Sequence, residues 1–233
     1  MKIGAFLSSL LFPQARCLGC DEPRRLDAGQ LLCASCAQAL SEKGIEQLFC
    51  PRCLSFLSQG KQCSFCAQGG LMGIDRAFAP FHHREEARQL VLRLKFGPVE
   101  AAGRPLAQAM ALTITGQHFD YLVPVPLHRS NHRQRGFNQA EMLCRMIQHH
   151  RPDLALLIAL EKHERTRRQS SLKRVARLEN AHNKYRAVAE VTGKSILLVD
   201  DVRTTGATAQ DCARALREAG ALRVSLLTAT VAD

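Results

Sequence analysis

Two aspartates close an apolar run and open a small-residue loop: Ile196 to Thr208 reads ILLVDDVRTTGAT. Four apolar residues lead into Asp200 and Asp201, and then come Val202, Arg203 and Thr204-Thr205-Gly206-Ala207-Thr208. The stretch that follows, AQDCARALREAG, predicts a helix with Ala209, Cys212, Ala213 and Leu216 on one face and Gly220 as its stop. A strand, a tight loop and a helix start therefore follow one another. Such a loop offers free N–H groups, hydroxyls and the positive end of a helix dipole, all suited to a phosphate. The two carboxylates ahead of it can accept hydrogen bonds from neighbouring hydroxyls. Phosphate plus vicinal diol describes a ribose 5-phosphate. An ordinary βα turn explains the loop alone, but not the paired acids directly before it.

The second chemical signal is thiol. Eight of the ten cysteines form four C-x-x-C pairs, Cys17/Cys20, Cys33/Cys36, Cys50/Cys53 and Cys63/Cys66, separated by 12, 13 and 9 residues. Each turn places two sulfurs on one ion, so two turns complete a tetrahedral zinc site. The simplest pairing is sequential; a cross-braced pairing of the first with the third knuckle stays open. Four thiolates close each site, so zinc is structural and should supply much of this module's folding energy. Cys144 and Cys212 fall on apolar helix faces and are expected in the core.

The chain that positions these groups has 233 residues and a formal charge of +11. That length accommodates one sizeable domain and a smaller one. The charge favours phosphates, nucleic acid or anionic lipid as partners. The absence of Trp and the few aromatics argue against a dedicated base-stacking platform. Residues 1–12 hold an apolar run too short to span a bilayer and without a signal-peptide cleavage site, which points to a packed amphipathic helix, or to contact with a membrane surface. Paired thiols that hold metal indicate a cytoplasmic protein.

Gly69-Gly70 marks a boundary between a zinc module at 1–70 and a second domain at 71–233. In that domain a strand is expected over Ile74–Phe81 and a helix over Arg84–Phe96. A second helix is expected over Pro105–Leu112 and a buried strand over Tyr121–Pro126. Asn138 should cap the next helix with Glu141 as capping-box partner, and Ala140, Leu143, Cys144 and Ile147 form its buried face. Further strands are expected over Leu154–Leu160, Ser195–Val199 and Arg223–Thr230. Alternating strands and helices mean an α/β fold with a mostly parallel sheet. The loop after Pro126 carries Arg129, Arg133 and Arg135, where such sheets bind anions. Residues 161–186 hold nine Lys/Arg against three acids, +6 in 26 residues. They read as a basic loop leading into a charged helix, and beside the ribose-phosphate loop as a cover for further phosphates.

Ile196–Thr208 resembles the phosphoribosyl-pyrophosphate (PRPP) motif of type I phosphoribosyltransferases at every position. The whole chain is similar to the ComF family, including ComFC- and GntX-type proteins. The knuckles, the LKFG piece, VPVPLHRSNHRQRGFNQ, RTRRQSSLKRVARLEN and the final motif occur in that family's order. Tyr185 stands where Phe is expected, and Arg203 fills a variable motif position. The resemblance implies a type I phosphoribosyltransferase-like sheet flanked by helices, an N-terminal zinc ribbon, and a role in uptake or use of external DNA. It assigns Asp200 and Asp201 to the ribose hydroxyls, directly or through Mg²⁺, and Val202 and Thr204–Thr208 to the 5-phosphate. The turn at Pro126 with Arg129, Arg133 and Arg135 would meet the pyrophosphate, and Arg165, Arg168 and Arg177 would close over it.

Three functions are open at this stage. One is a pentosyl transferase with an unnamed acceptor. Another is a basic accessory protein that binds single-stranded DNA or other nucleic acid, its PRPP site regulatory or vestigial. The third is a zinc-ribbon scaffold that docks a DNA-uptake helicase or channel, either free in the cytoplasm or peripheral at the inner membrane face.

Overall fold

The computed structural model describes residues 16–23, 26–27, 29–42, 49–57, 62–97, 99–127, 136–162 and 184–232. Its centre is a parallel pair of long strands, β7 (Ser195–Arg203) and β8 (Arg223–Val231). The strands β3 (Tyr121–Pro124) and β4 (Ala155–Leu156) extend the sheet beyond β7, and β1 (Ala77–Phe78) and β2 (Phe81–His82) both pair with β8. Every pairing in this sheet is parallel. Ile196, Leu197, Leu198 and Val199 are all fully buried, the continuous apolar run expected of a parallel strand covered on both faces.

Alternation along β7 sorts its side chains between two cores. Leu197 and Val199 pack with helices α3 (Glu85–Phe96), α4 (Val99–Thr113) and α5 (Gln139–His150). Ile196 and Leu198 pack with α6 (Ala207–Glu218). The buried faces of α5 and α6 include those the sequence periodicity gives, with Cys144 and Cys212 both at 0% exposure, and α3 buries Ala87, Leu90, Val91 and Leu94.

Several boundaries differ from the sequence expectation. The helix expected to begin at Pro105 starts at Val99, with Pro105 inside it. Burial of Ala102 one turn ahead of Leu106 anchors the extra residues, and Gly103 lets α4 approach α5, since a Cβ there would lie 2.6 Å from Met146 Sδ. The strand expected over Ile74–Phe81 is broken into β1 and β2 at Ala79-Pro80, where proline supplies no ladder donor. The strand expected over Leu154–Leu160 ends at Leu156. Leu160 instead begins β5 (Leu160–Lys162), which pairs antiparallel with β6 (Tyr185–Ala187) in a separate sheet. Asn138 Oδ1 accepts from the Ala140 amide as a cap, but Glu141 pairs with Arg145 at 2.7 Å and does not complete a capping box. The charged helix expected within 161–186 and the N-terminal helix at 1–12 lie outside the described residues.

Both cysteine groups are packed against this body. In the first ribbon, helix α1 (Ala34–Glu42) carries Cys36, and Leu18 and Leu40 join the core formed by α3 and α4. Cys50 and Cys53 join the core on the α6 side, the short helix α2 (Ser64–Ala67) carries Cys66, and the Ala77 amide donates to the Arg52 carbonyl at 2.7 Å.

Candidate functional site

The sheet register brings the chemistry together. Pro124 on β3 pairs with Val199 on β7, and the Val125 amide donates to the Val199 carbonyl at 2.9 Å. The carboxyl ends of these strands therefore deliver Val125-Pro126 beside Asp200-Asp201, at the place where open α/β sheets bind ligands. Asn138 fixes the far side: its Nδ2 donates to the Val125 carbonyl at 3.0 Å while its Oδ1 caps α5. A cleft of ≈ 250 Å³ opens between Pro126, Leu127, Asn138, Gln139, Lys95, Lys162, Tyr185, Asp200, Asp201 and Thr208. A second hollow, ≈ 60 Å³, is lined by Asp200 and by Val202 to Thr208, Arg203 among them. Asp200 and Thr208 line both, so the two hollows adjoin across these residues.

The smaller hollow has the form of an anion cradle. Gly206 takes φ 80, a left-handed conformation natural to glycine, and sits at the N-cap of α6 with no side-chain cap over the helix end. Thr205 Oγ1 lies 3.4 Å from the Ala207 amide. The first turn of α6 holds no acid, so the helix dipole faces the hollow uncompensated.

The two aspartates are electrically distinct. Asp201 is buried, and its Oδ2 meets Lys95 Nζ at 2.8 Å. Asp200 Oδ1 accepts from the Asp201 amide at 2.8 Å. Burial, and then the neighbouring Asp201 charge, push the Asp200 carboxyl up to about 7, while Lys95 pulls the other way. Behind Asp201, Thr230 Oγ1 donates to the Asp201 carbonyl at 3.5 Å and lies 2.9 Å from His83 Nδ1. Lys162 Nζ lies 5.3 Å from the Tyr185 ring centroid. Burial, and then the Lys184 charge, hold Lys162 below the ordinary lysine range.

Of the predicted residues, Asp200, Asp201, Val202, Thr204 to Thr208 and Pro126 converge on this site. Arg129, Arg133 and Arg135, and likewise Arg165, Arg168 and Arg177, lie outside the described residues. The two ends of the basic segment are nonetheless placed: Lys162 on β5 and Tyr185 on β6 both line the cleft. Lys95 was not among the predicted residues. Its signal is positional, because it continues the buried stripe one turn beyond Val91, and a lysine there needs an acidic partner.

The eight knuckle cysteines form two groups, Cys17, Cys20, Cys33, Cys36 and Cys50, Cys53, Cys63, Cys66, each with its sulfurs within 4.8 Å of one another. The grouping is sequential. Four thiols at that spacing fit a closed tetrahedral zinc site.

Comparison with known proteins agrees with both halves. Residues 7–67 match the family described as Double zinc ribbon domain, and residues 98–233 match Phosphoribosyl transferase domain. The chain is 30% identical over 208 residues to competence protein ComFC of Bacillus subtilis, covering 84% of this chain and 81% of that protein. It is 29% identical over 217 residues to competence protein F of Haemophilus influenzae, covering 88% and 92%. It is 28% identical over 206 residues to DNA utilization protein YhgH of Escherichia coli K12, covering 84% and 88%.

Proposed function

The chain belongs to the ComF family of phosphoribosyltransferase-domain proteins with a double zinc ribbon, and from that premise we propose that it binds PRPP and acts as a phosphoribosyltransferase in the uptake or use of external DNA. The observation that carries this reading is that cradle and cleft adjoin across Asp200 and Thr208. A ribose 5-phosphate seated in the cradle would present its hydroxyls to the aspartates and its anomeric substituent to the cleft.

The roles follow from placement. Thr204 to Thr208 would hold the 5-phosphate through backbone N–H groups and hydroxyls, with Val202 on the same wall. Asp200 and Asp201 would accept from the 2- and 3-hydroxyls. The turn at Pro126, with Arg129, Arg133 and Arg135, would meet the pyrophosphate. The basic segment that leaves β5 and returns through β6, with Arg165, Arg168 and Arg177, would cover it and exclude water. Two adjacent carboxylates at the cleft floor are a fitting oxygen donor set for Mg²⁺. When bound, Mg²⁺ would neutralise charge building on the pyrophosphate. In the transfer, the bond from the anomeric carbon to pyrophosphate breaks, pyrophosphate leaves with the electron pair, and a nucleophile bonds to that carbon. The chain's contribution is chiefly positioning and electrostatics.

Calorimetry with PRPP and Mg²⁺ tests the reading, and absence of binding sinks it. A screen of acceptors for pyrophosphate release then tests turnover. The charge of +11 and the names of the relatives favour a second reading, nucleic-acid binding. Replacing Asp200 and Asp201 together by Asn should abolish PRPP binding and spare most DNA affinity. Joint loss without unfolding would indicate one shared site. No helix among the described residues is long and apolar enough to cross a membrane. Action in the cytoplasm, including at the inner membrane face, remains part of this proposal.

A further inference from the structure

A loop that offers its N–H groups to a phosphate cannot also use them to hold its own shape. It must be fixed through carbonyls and packing. The Thr204–Gly206 loop is fixed this way, and both of its anchors lead to the second cysteine group.

The entry anchor is Arg203, the last residue of β7, buried with 7% exposure. One guanidinium nitrogen donates to the Thr204 carbonyl at 3.1 Å, and another donates to the Leu54 carbonyl at 3.2 Å. Leu54 directly follows Cys53. It holds φ 59, and its amide donates to the Cys50 carbonyl at 2.8 Å, so the Cys50–Cys53 turn sets where that carbonyl points. The exit anchor is Leu71, buried against Gly206. A Cβ on Gly206 would lie 2.4 Å from Leu71 Cδ2. Leu71 follows the Cys63–Cys66 turn after Gly70, whose amide donates to the Phe65 carbonyl at 2.8 Å. The next amide, of Met72, donates to Gln210 Oε1 in α6 at 3.2 Å. One knuckle of the group thus reaches the start of the loop and the other reaches its end.

We infer that the second zinc ribbon is the positioning element of the phosphate cradle, and that Arg203 is the positioning residue that couples them. The inference rests on the ribose-phosphate reading of the cradle. Arg203 fills a motif position that tolerates any residue, so the motif gives no reason for a buried arginine there. The carbonyl of the metal-closed turn supplies one. Charge-assisted hydrogen bonds to two carbonyls fix the loop while leaving its amides free.

The test uses the zinc-loaded full chain, with PRPP and Mg²⁺ in calorimetry and zinc content measured alongside. Arg203→Gln should keep the wild-type zinc content and bind PRPP roughly tenfold more weakly. Arg203→Lys, which can reach one carbonyl but not both, should fall between. Stripping zinc should weaken the wild type by a larger factor than it weakens Arg203→Gln, because the variant has already lost the link. PRPP binding by Arg203→Gln within twofold of wild type, or equal losses on stripping, would overturn the inference. A wild type that binds no PRPP would fail the functional reading instead. The link is then decided without ligand by amide exchange at Gln210, whose N–H is bonded to the Gly206 carbonyl at 2.9 Å. Zinc removal should speed that exchange in the wild type more than in Arg203→Gln, and equal exchange in the two would overturn the inference.

Discussion

Lys95 Nζ stands 2.8 Å from Asp201 Oδ2, so the last turn of α3 places a cation against the carboxylate pair at the end of β7. A lysine and two aspartates share one partly closed cleft. The cation pairs with Asp201, and Asp200, raised to about 7 by burial and by the neighbouring Asp201 charge, is the member that carries a proton near neutrality.

Lys95→Met should therefore raise the Asp200 titration above its value of about 7, since Lys95 is the cation that opposes the rise. It should also leave Asp201 buried without its ion partner, at a cost on the order of 1–3 kcal/mol. Carboxyl carbon shifts followed through a pH titration read the first effect, and chemical denaturation at pH 7 reads the second. An Asp200 titration that stays put or falls would contradict the arrangement.

Gly206→Ala should weaken PRPP binding for two separable reasons. An alanine at φ 80 costs about 1 kcal/mol or more in backbone strain. Its Cβ would also press on Leu71 Cδ2 at 2.4 Å. Leu71→Ala combined with Gly206→Ala removes the second cause and keeps the first. PRPP affinity measured for both variants should be lower than wild type, with the double variant recovering part of the loss. Full recovery would mean that the backbone conformation is unimportant.

The legible parts of this molecule are those where one local pattern has one physical solution. Ile196–Val199 can only be a strand buried on both faces, and paired acids before a Gly/Thr loop can only sit at its carboxyl end. Four C-x-x-C turns can only bring eight sulfurs into two clusters. Lys95 was illegible because its partner lies 106 positions away in the sequence, and no local rule pairs them. The break at Ala79-Pro80 and the helix running through Pro105 are not legible in the sequence for a related reason. In both, tertiary packing decided how a proline was used: it interrupts pairing with β8, and it is tolerated in a helix anchored by Ala102 and Leu106. The antiparallel β5–β6 pair is hidden because 22 residues, strongly charged, separate its strands.

Zinc removal should destabilise more than the ribbons while leaving the sheet folded at assay temperature. Cys50 and Cys53 lie in the same core as Ile196, Leu198, Cys212 and Leu216, and Leu18 and Leu40 lie in the core of α3. Two zinc ions per chain should be released by a thiol-directed reagent. Strong chelation should lower the melting temperature of the whole chain in a single transition, since the second ribbon shares the sheet's core and the first has only a small cluster of its own around Cys17, Cys33 and Cys36. Two well-separated transitions, with the upper one unmoved by chelation, would show that the sheet folds independently of the metal.

Asp200 should make the protein less stable as pH rises. Its folded-state carboxyl titrates at about 7 against an ordinary value of 3.8, so the folded state holds the proton more tightly than the unfolded state. Below the ordinary value both states are protonated and the group has no effect on stability. Between the two values the unfolded state has released its proton and the folded state has not. Stability falls across that window by on the order of 1.4 kcal/mol for each pH unit crossed, and levels off above about 7. Asp200→Asn cannot ionise, so its stability relative to wild type should climb from pH 4 to pH 7 and then stay flat. Denaturation in magnesium-free buffer across that range measures the difference. Ligand binding should run the opposite way, because ribose hydroxyls and Mg²⁺ call for the ionised carboxylate. Wild-type PRPP affinity should rise up to about tenfold per unit below neutrality and flatten above it. A variant that gains stability at pH 8 while losing PRPP would identify Asp200 as a group kept for binding at the expense of the fold. A flat stability difference across the whole range would show that the carboxyl titrates normally and that the burial argument is wrong.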